Sequence, residues 1–138
     1  NEDFCFTYGD GVGCIDIGAL EEFHQTHGCL ATVTATRPLK RFGLMKIDGD
    51  VVYQFDEKPE HEGGWVNGGF FVLSPDAGTL IADNRTYWEA EPMQELVNQN
   101  QLRAFLHHEF WQPMDTLRDR QTLEQLWASG AAPWKTWN

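Results

Sequence analysis

Two aspartates, a glutamate–lysine pair and an asparagine followed by two glycines carry the chemical content of this 138-residue chain. Asp10 lies between glycines in Tyr8-Gly9-Asp10-Gly11, and Asp115 lies in Trp111-Gln112-Pro113-Met114-Asp115-Thr116. Glu57-Lys58-Pro59 and Asn67-Gly68-Gly69 fall between them. Each group sits where a strand is expected to end. Two separated carboxylates can hold a divalent cation. The Lys58 ammonium can pair with a phosphate, and the Glu57 carboxylate can accept from paired sugar hydroxyls. Asn67, Gly68 and Gly69 offer an amide side chain beside bare backbone that a ligand can approach closely. The set suits a divalent cation and a phosphorylated, hydroxyl-rich ligand.

Each residue also has a plainer role. Asp10 has the side chain of an Asx turn, and Asp115 can cap the helix expected after it and favour that helix's dipole. Glu57 and Lys58 can be a solvated surface pair, and Asn67-Gly68-Gly69 a tight turn feeding a strand. His24-x-x-His27 near Cys29 has zinc-ligand residue types, but all lie at one helix end without a second ligand cluster, so zinc is not expected. No Gly-x-Ser-x-Gly, Walker A or dinucleotide fingerprint occurs.

The elements that must position these groups follow from periodicity. Residues 4 to 8 form a short apolar run ended by Gly-Asp-Gly, which predicts a buried parallel strand with Asp10 at its carboxyl end. Ile17, Leu20, Phe23 and His27 recur at helical spacing between Asp16 as N-cap and Gly28 as C-cap. Residues 30 to 36 alternate and are β-branched, predicting a strand and hence a β-α-β unit. Asp48-Gly49 marks a hairpin turn between short strands within 42 to 56. A polar loop from Glu57 to Trp65 leads to a strand over Gly68 to Leu73, and Ser74-Pro75 predicts a helix start. A helix from Glu91 to about Asn98, a strand over Leu102 to Leu106, and a helix after Asp115 complete the set. Thr116 and Asp119 stand in capping-box spacing for that last helix, and Gly130 ends it. Trp134 and Trp137 are expected to pack on the domain or on a second subunit.

The length suits one domain spanning residues 1 to 138. A formal charge of −11, with acidic residues dispersed along the chain, argues against nucleic acid as a partner, because backbone binding needs a basic stripe. An acidic protein that binds phosphates must use a metal or local cations, and Arg37, Lys40, Arg41 and Lys58 are those cations. Cys5, Cys14 and Cys29 are odd in number and lack CxxC spacing, which fits buried thiols in a reducing cytoplasm. No apolar run approaches the roughly 20 residues of a membrane span, so no membrane partner is expected. The chain begins Asn1-Glu2-Asp3-Phe4 without Met and is soon inside a strand pattern, which suggests a processed or partial product.

In order and spacing the motifs resemble the sugar nucleotidyltransferases, and within them the cytidylyltransferases that act on glucose 1-phosphate. The resemblance runs through Phe4 to Val12, Arg41-Phe42-Gly43, Glu57-Lys58-Pro59, Asn67 to Pro75, Phe110 to Asp119 and Ala132-Pro133-Trp134-Lys135. It implies an α/β fold, a Rossmann-like mixed sheet flanked by helices. It implies Mg²⁺ on Asp10 and Asp115, sugar hydroxyls on Glu57, the sugar phosphate on Lys58, and a sugar pocket lined by Gly43, Asn67 and Gly68. The family's glycine-rich Gly-x-Gly-Thr-Arg-Leu loop and Pro-Lys-Pro segment do not occur here. By the resemblance, then, the chain corresponds to the carboxyl-terminal part of such an enzyme and lacks the amino-terminal nucleotide-binding half. The first strand is then left at a sheet edge, and the chain by itself is not expected to carry out transfer. An amino-terminal partner half, or self-association through residues 4 to 8 or through Trp134 and Trp137, is expected to cover the exposed surface.

Overall fold

The computed structural model describes residues 2–37, 44–48, 51–56 and 64–137. In chain order the elements are β1 (Phe4–Thr7), β2 (Gly11–Gly13), α1 (Ile17–His27), β3 (Ala31–Thr36), β4 (Leu44–Asp48), β5 (Val51–Asp56) and β6 (Val66–Leu73). A 3-10 turn (Pro75–Leu80), α2 (Glu91–Asn98), β7 (Leu102–Leu106), β8 (Trp111–Pro113) and α3 (Leu117–Ala128) follow. The main sheet has the order β1-β6-β3-β7. β6 runs antiparallel to both β1 and β3, and β3 runs parallel to β7. The fold is therefore mixed α/β, with β1, β3 and β7 all pointing the same way.

The expected crossover from β1 through α1 to β3 is present, but β6 is inserted between the two strands. The expectation of a buried parallel strand over residues 4 to 8 is corrected: β1 is an edge strand, antiparallel to its described neighbour, with Phe4 43% exposed. The reason is one-sided packing. Phe6 and Tyr8 stack on Phe71, at 5.6 and 5.5 Å between ring centroids, whereas Cys5 and Thr7 on the other face are exposed. No described strand pairs with the outer edge of β1.

One face of the sheet carries the apolar core of Ala31, Val33, Phe71 and Leu73, covered by Ala77 of the 3-10 turn and Leu96 of α2. Ser74-Pro75 opens that 3-10 turn rather than an α-helix, and Gly78 inside it removes the propensity to continue. The other face meets α1, which begins and ends as its caps dictate. The Asp16 carboxylate accepts from the Ala19 N–H at 3.0 Å, and Gly28 stands at φ 62°. α3 has a full capping box: Thr116 Oγ1 accepts from the Asp119 N–H at 3.2 Å, and the buried Asp119 carboxylate accepts from the Thr116 N–H at 3.0 Å. Thr116→Ala is expected to cost about 1–2 kcal/mol and to lower the melting temperature by about 3–6 °C in a thermal scan.

Between α1 and β3 lies a buried polar chain. Thr32 Oγ1 is 2.8 Å from both His24 Nδ1 and His27 Nε2, and the Cys29 N–H donates to His27 Nδ1 at 3.0 Å. That last bond fixes the tautomer: His27 Nε2–H donates to Thr32, whose hydroxyl donates to His24 Nδ1. Both imidazoles are pushed below their ordinary pKa by burial. Asp3 partly opposes this at His24, while His24 and Arg103 reinforce it at His27. A histidine whose folded pKa lies below its unfolded value of 6.5 contributes stability above that value and loses it as pH falls towards the folded pKa. The melting temperature is therefore expected to fall as pH drops below about 7, and the fall should be shallower in His24→Gln, as calorimetry at matched ionic strength would measure.

The three cysteines are free, and the expectation of buried thiols holds for Cys29 alone, since Cys5 is exposed and Cys14 half-buried. Trp134 stacks on Phe110 at 5.4 Å, as expected of a tail that packs on the domain. Trp137 lies 6.3 Å from Trp127 and stays 57% exposed. Among the described residues no helix is long and apolar enough to cross a membrane.

Candidate functional site

The carboxyl ends of β1, β3 and β7 and the amino end of β6 meet along one side of the sheet. In sheets of this kind, ligands bind in the crevice outside the carboxyl ends of the parallel strands. Asp10 follows β1 there, and Asn67 and Gly68 open β6.

At that end β6 is bulged. Val33 of β3 pairs with Phe71, yet Ala35, two residues on, pairs with Asn67, so β6 carries two extra residues in this interval. Gly69 stands at φ 76°, and a Cβ on it would lie 2.8 Å from Tyr8 Cδ2. A Cβ on Gly68 would lie 3.0 Å from the Thr34 carbonyl oxygen. Only glycine fits either position without displacement. The Asn67 side chain closes the bulge: its Oδ1 accepts from the Gly69 N–H at 2.8 Å, and its Nδ2 donates to the Tyr8 hydroxyl at 3.1 Å. The Tyr8 N–H donates in turn to the Gly69 carbonyl at 2.9 Å.

The short β2–β8 ribbon brings the two aspartates to one place. Gly13 pairs with Trp111 and Gly11 with Pro113, and beyond the Gly11–Pro113 pair the Met114 N–H donates to the Asp10 carbonyl at 2.7 Å. Asp10 and Asp115 thus flank the open end of this ribbon, although 105 positions separate them in sequence. The Trp111 indole N–H donates to the Gly68 carbonyl at 2.8 Å and ties the ribbon to the bulge. Asp115 is not the cap of α3; that role belongs to Thr116. Both Asp10 and Asp115 are exposed, and neither carboxylate accepts a hydrogen bond among the described residues.

Asp10, Asp115, Asn67 and Gly68 are thus brought together through main-chain pairing. Gly43, Glu57 and Lys58 lie outside the described residues, as do Lys40 and Arg41, although β5 ends at Asp56, immediately before Glu57. Arg37 sits over the Trp65 ring at 4.5 Å. His24 and His27 are engaged with Thr32, and among the described residues no group of three or more His, Cys, Asp or Glu could hold a metal. Two exposed carboxylates fit Mg²⁺, which keeps several waters and takes one or two carboxylates plus substrate phosphates; they do not fit a structural zinc.

Sequence reasoning passed over Tyr8 and Glu89. Burial pushes the Tyr8 phenol up to about 12; the Glu89 and Asp10 carboxylates add to that shift and the Asn67 bond opposes it. Tyr8 adjoins the Asp10 motif and could have been noticed on that ground. Glu89 carries no local signal of its position beside Tyr8.

A mixed sheet with a carboxylate ribbon at its strand ends is consistent with the family to which the sequence points: residues 14–128 match the nucleotidyl transferase model, and the chain belongs to that family. It is 54% identical over 137 residues to the glucose-1-phosphate cytidylyltransferase of Salmonella typhi, covering 99% of this chain and 53% of that enzyme. It is 34% identical over 108 residues to mannose-1-phosphate guanyltransferase 2 of Candida glabrata, covering 71% of this chain and 30% of that enzyme. Its fold is similar to that of a Bacillus anthracis protein assigned as a glucose-1-phosphate thymidylyltransferase and solved with sucrose. There the TM-score is 0.62 at 16% identity, over 100% of this chain and 56% of that one. The chain spans about half the length of the Salmonella enzyme and of the solved structure.

Proposed function

We propose that this chain is the sugar-phosphate- and metal-binding part of an enzyme that converts CTP and glucose 1-phosphate into CDP-glucose and pyrophosphate. The observation that carries the reading is the 54% identity to a glucose-1-phosphate cytidylyltransferase over 99% of the chain. The convergence of Asp10, Asp115 and Asn67 adds to it. In this reading residues 1 to 138 act as one unit. Asp10 and Asp115 hold Mg²⁺, Gly43, Asn67 and Gly68 line the sugar pocket, Glu57 accepts from sugar hydroxyls, and Lys58 pairs with the sugar phosphate.

A phosphate oxygen of glucose 1-phosphate forms the new bond to the α-phosphorus of CTP. The bond from that phosphorus to the bridging oxygen breaks, and pyrophosphate leaves with the electron pair. No side chain need act as nucleophile, so the residues contribute by positioning and by neutralising charge. Bound Mg²⁺ supplies neutralisation of the charge on the reacting phosphates.

The glycine-rich nucleotide loop lies, in this reading, in the remaining half of the length, amino-terminal to these residues or on a partner. The outer edge of β1, with which no described strand pairs, favours such a partner, because an exposed strand edge is a template for pairing. The same edge favours a second reading, a self-associating module that binds sugar phosphate weakly. Sedimentation separates the two. A stable monomer of the isolated chain at micromolar concentration would exclude the module.

The test of transfer is a hybrid in which these residues replace the matching part of the Salmonella typhi enzyme. Mg²⁺-dependent CDP-glucose formation is expected. A folded hybrid without product, beside an active parent, would overturn the reading.

A further inference from the structure

We propose that Tyr8 is a positioning residue for the sugar phosphate, its hydroxyl locking the Asn67 side-chain amide in one orientation at the pocket. The inference rests on the role given to Asn67 above. The Gly69 N–H is a donor, so the atom facing it must be Asn67 Oδ1, and Nδ2 then points at the Tyr8 hydroxyl. These bonds use one Nδ2 hydrogen and one lone pair of Oδ1. Among the described residues no partner takes the second Nδ2 hydrogen, which can donate to a sugar hydroxyl from a fixed direction.

Asn67 pairs with Ala35 of β3 beside the bulge, where the ladder holds its main chain and these two bonds orient its side-chain amide. Tyr8 is held more firmly. Its ring packs edge-on to Phe6 at 5.8 Å and against Phe71 at 5.5 Å, and its N–H is bonded to Gly69. The chain Tyr8–Asn67–Gly69 holds the half-buried Asn67 amide as a rigid donor.

Tyr8→Phe removes the hydroxyl and keeps the ring, so it separates this role from the packing of the bulge. In the hybrid enzyme it is expected to raise KM for glucose 1-phosphate about 5–10-fold, the effect of one lost hydrogen bond, while KM for CTP stays within about twofold. Asn67→Ala should raise the same KM at least as much, and Tyr8→Phe should add nothing in the Asn67→Ala background. An unchanged KM in Tyr8→Phe, or effects that multiply in the double variant, would overturn the proposal and leave the function standing. An inactive hybrid that retains Tyr8 and Asn67 would overturn both. The isolated chain gives an independent reading. The two Asn67 Nδ2 protons should be distinct and slow to exchange by NMR, and in Tyr8→Phe they should exchange faster; equal exchange in both proteins counts against the proposal.

Discussion

Asp10→Asn and Asp115→Asn are each expected to lower the rate of CDP-glucose formation by about 10²–10³-fold, with little change in melting temperature. Each substitution keeps the shape of the side chain and removes one negative charge from a site whose proposed task is to hold Mg²⁺ against clustered phosphates. A loss of that order corresponds to about 3–4 kcal/mol of transition-state stabilisation, an ordinary contribution for charge neutralisation in phosphoryl transfer. The fold should be spared for reasons visible at both positions. Asp10 binds the β2–β8 ribbon through its main-chain carbonyl, which pairs with the Met114 N–H whatever the side chain. Asp115 precedes the true cap, Thr116, so α3 keeps its box with Asp119. Raising Mg²⁺ should recover part of the lost rate in either variant. Full activity with a lowered melting temperature would instead assign both residues to turn and helix-end roles.

Gly69→Val is expected to be the most damaging substitution for stability, at roughly 3 kcal/mol or more and about 10 °C in melting temperature. Two independent obstacles meet there. The backbone stands at φ 76°, where a β-branched residue is strained, and the first carbon of any side chain would lie 2.8 Å from Tyr8 Cδ2. The ring cannot easily withdraw, because Tyr8 is bonded to the Gly69 carbonyl and packed on Phe6 and Phe71. Gly64→Ala provides the control: among the described residues nothing lies within 4 Å of its added carbon, and a change below about 0.5 kcal/mol is expected. Denaturant titration of the two variants beside the parent would compare them.

Features encoded by neighbouring residues were legible in the sequence. α1 carries its start and stop signals as Asp16 and Gly28, and α3 carries the Thr116/Asp119 capping-box spacing, although only the structure gives the cap to Thr116 rather than Asp115. The β4–β5 hairpin follows from Asp48-Gly49, its strands pairing Asp48 with Val51. Features set by distant pairing were not legible. Nothing in residues 4 to 8 says that β6 will lie beside them or that no described strand will take the other edge. β2 and β8 have three residues each, too few to show a period, yet this pair brings Asp10 to Asp115. The candidate site was readable as residue types because the family motifs are long. Its geometry depends on the Asn67 bulge and on Tyr8, which only the folded chain brings together.

The central claim is that these residues supply the sugar-phosphate and metal half of a cytidylyl transfer. The most direct measurement is CDP-glucose and pyrophosphate formation by the hybrid with the Salmonella typhi enzyme, supplied with CTP, glucose 1-phosphate and Mg²⁺. Stoichiometric release of both products, abolished by chelation and lowered by Asp10→Asn and Asp115→Asn, is the predicted result. A folded hybrid that yields neither product while the parent enzyme is active would contradict it.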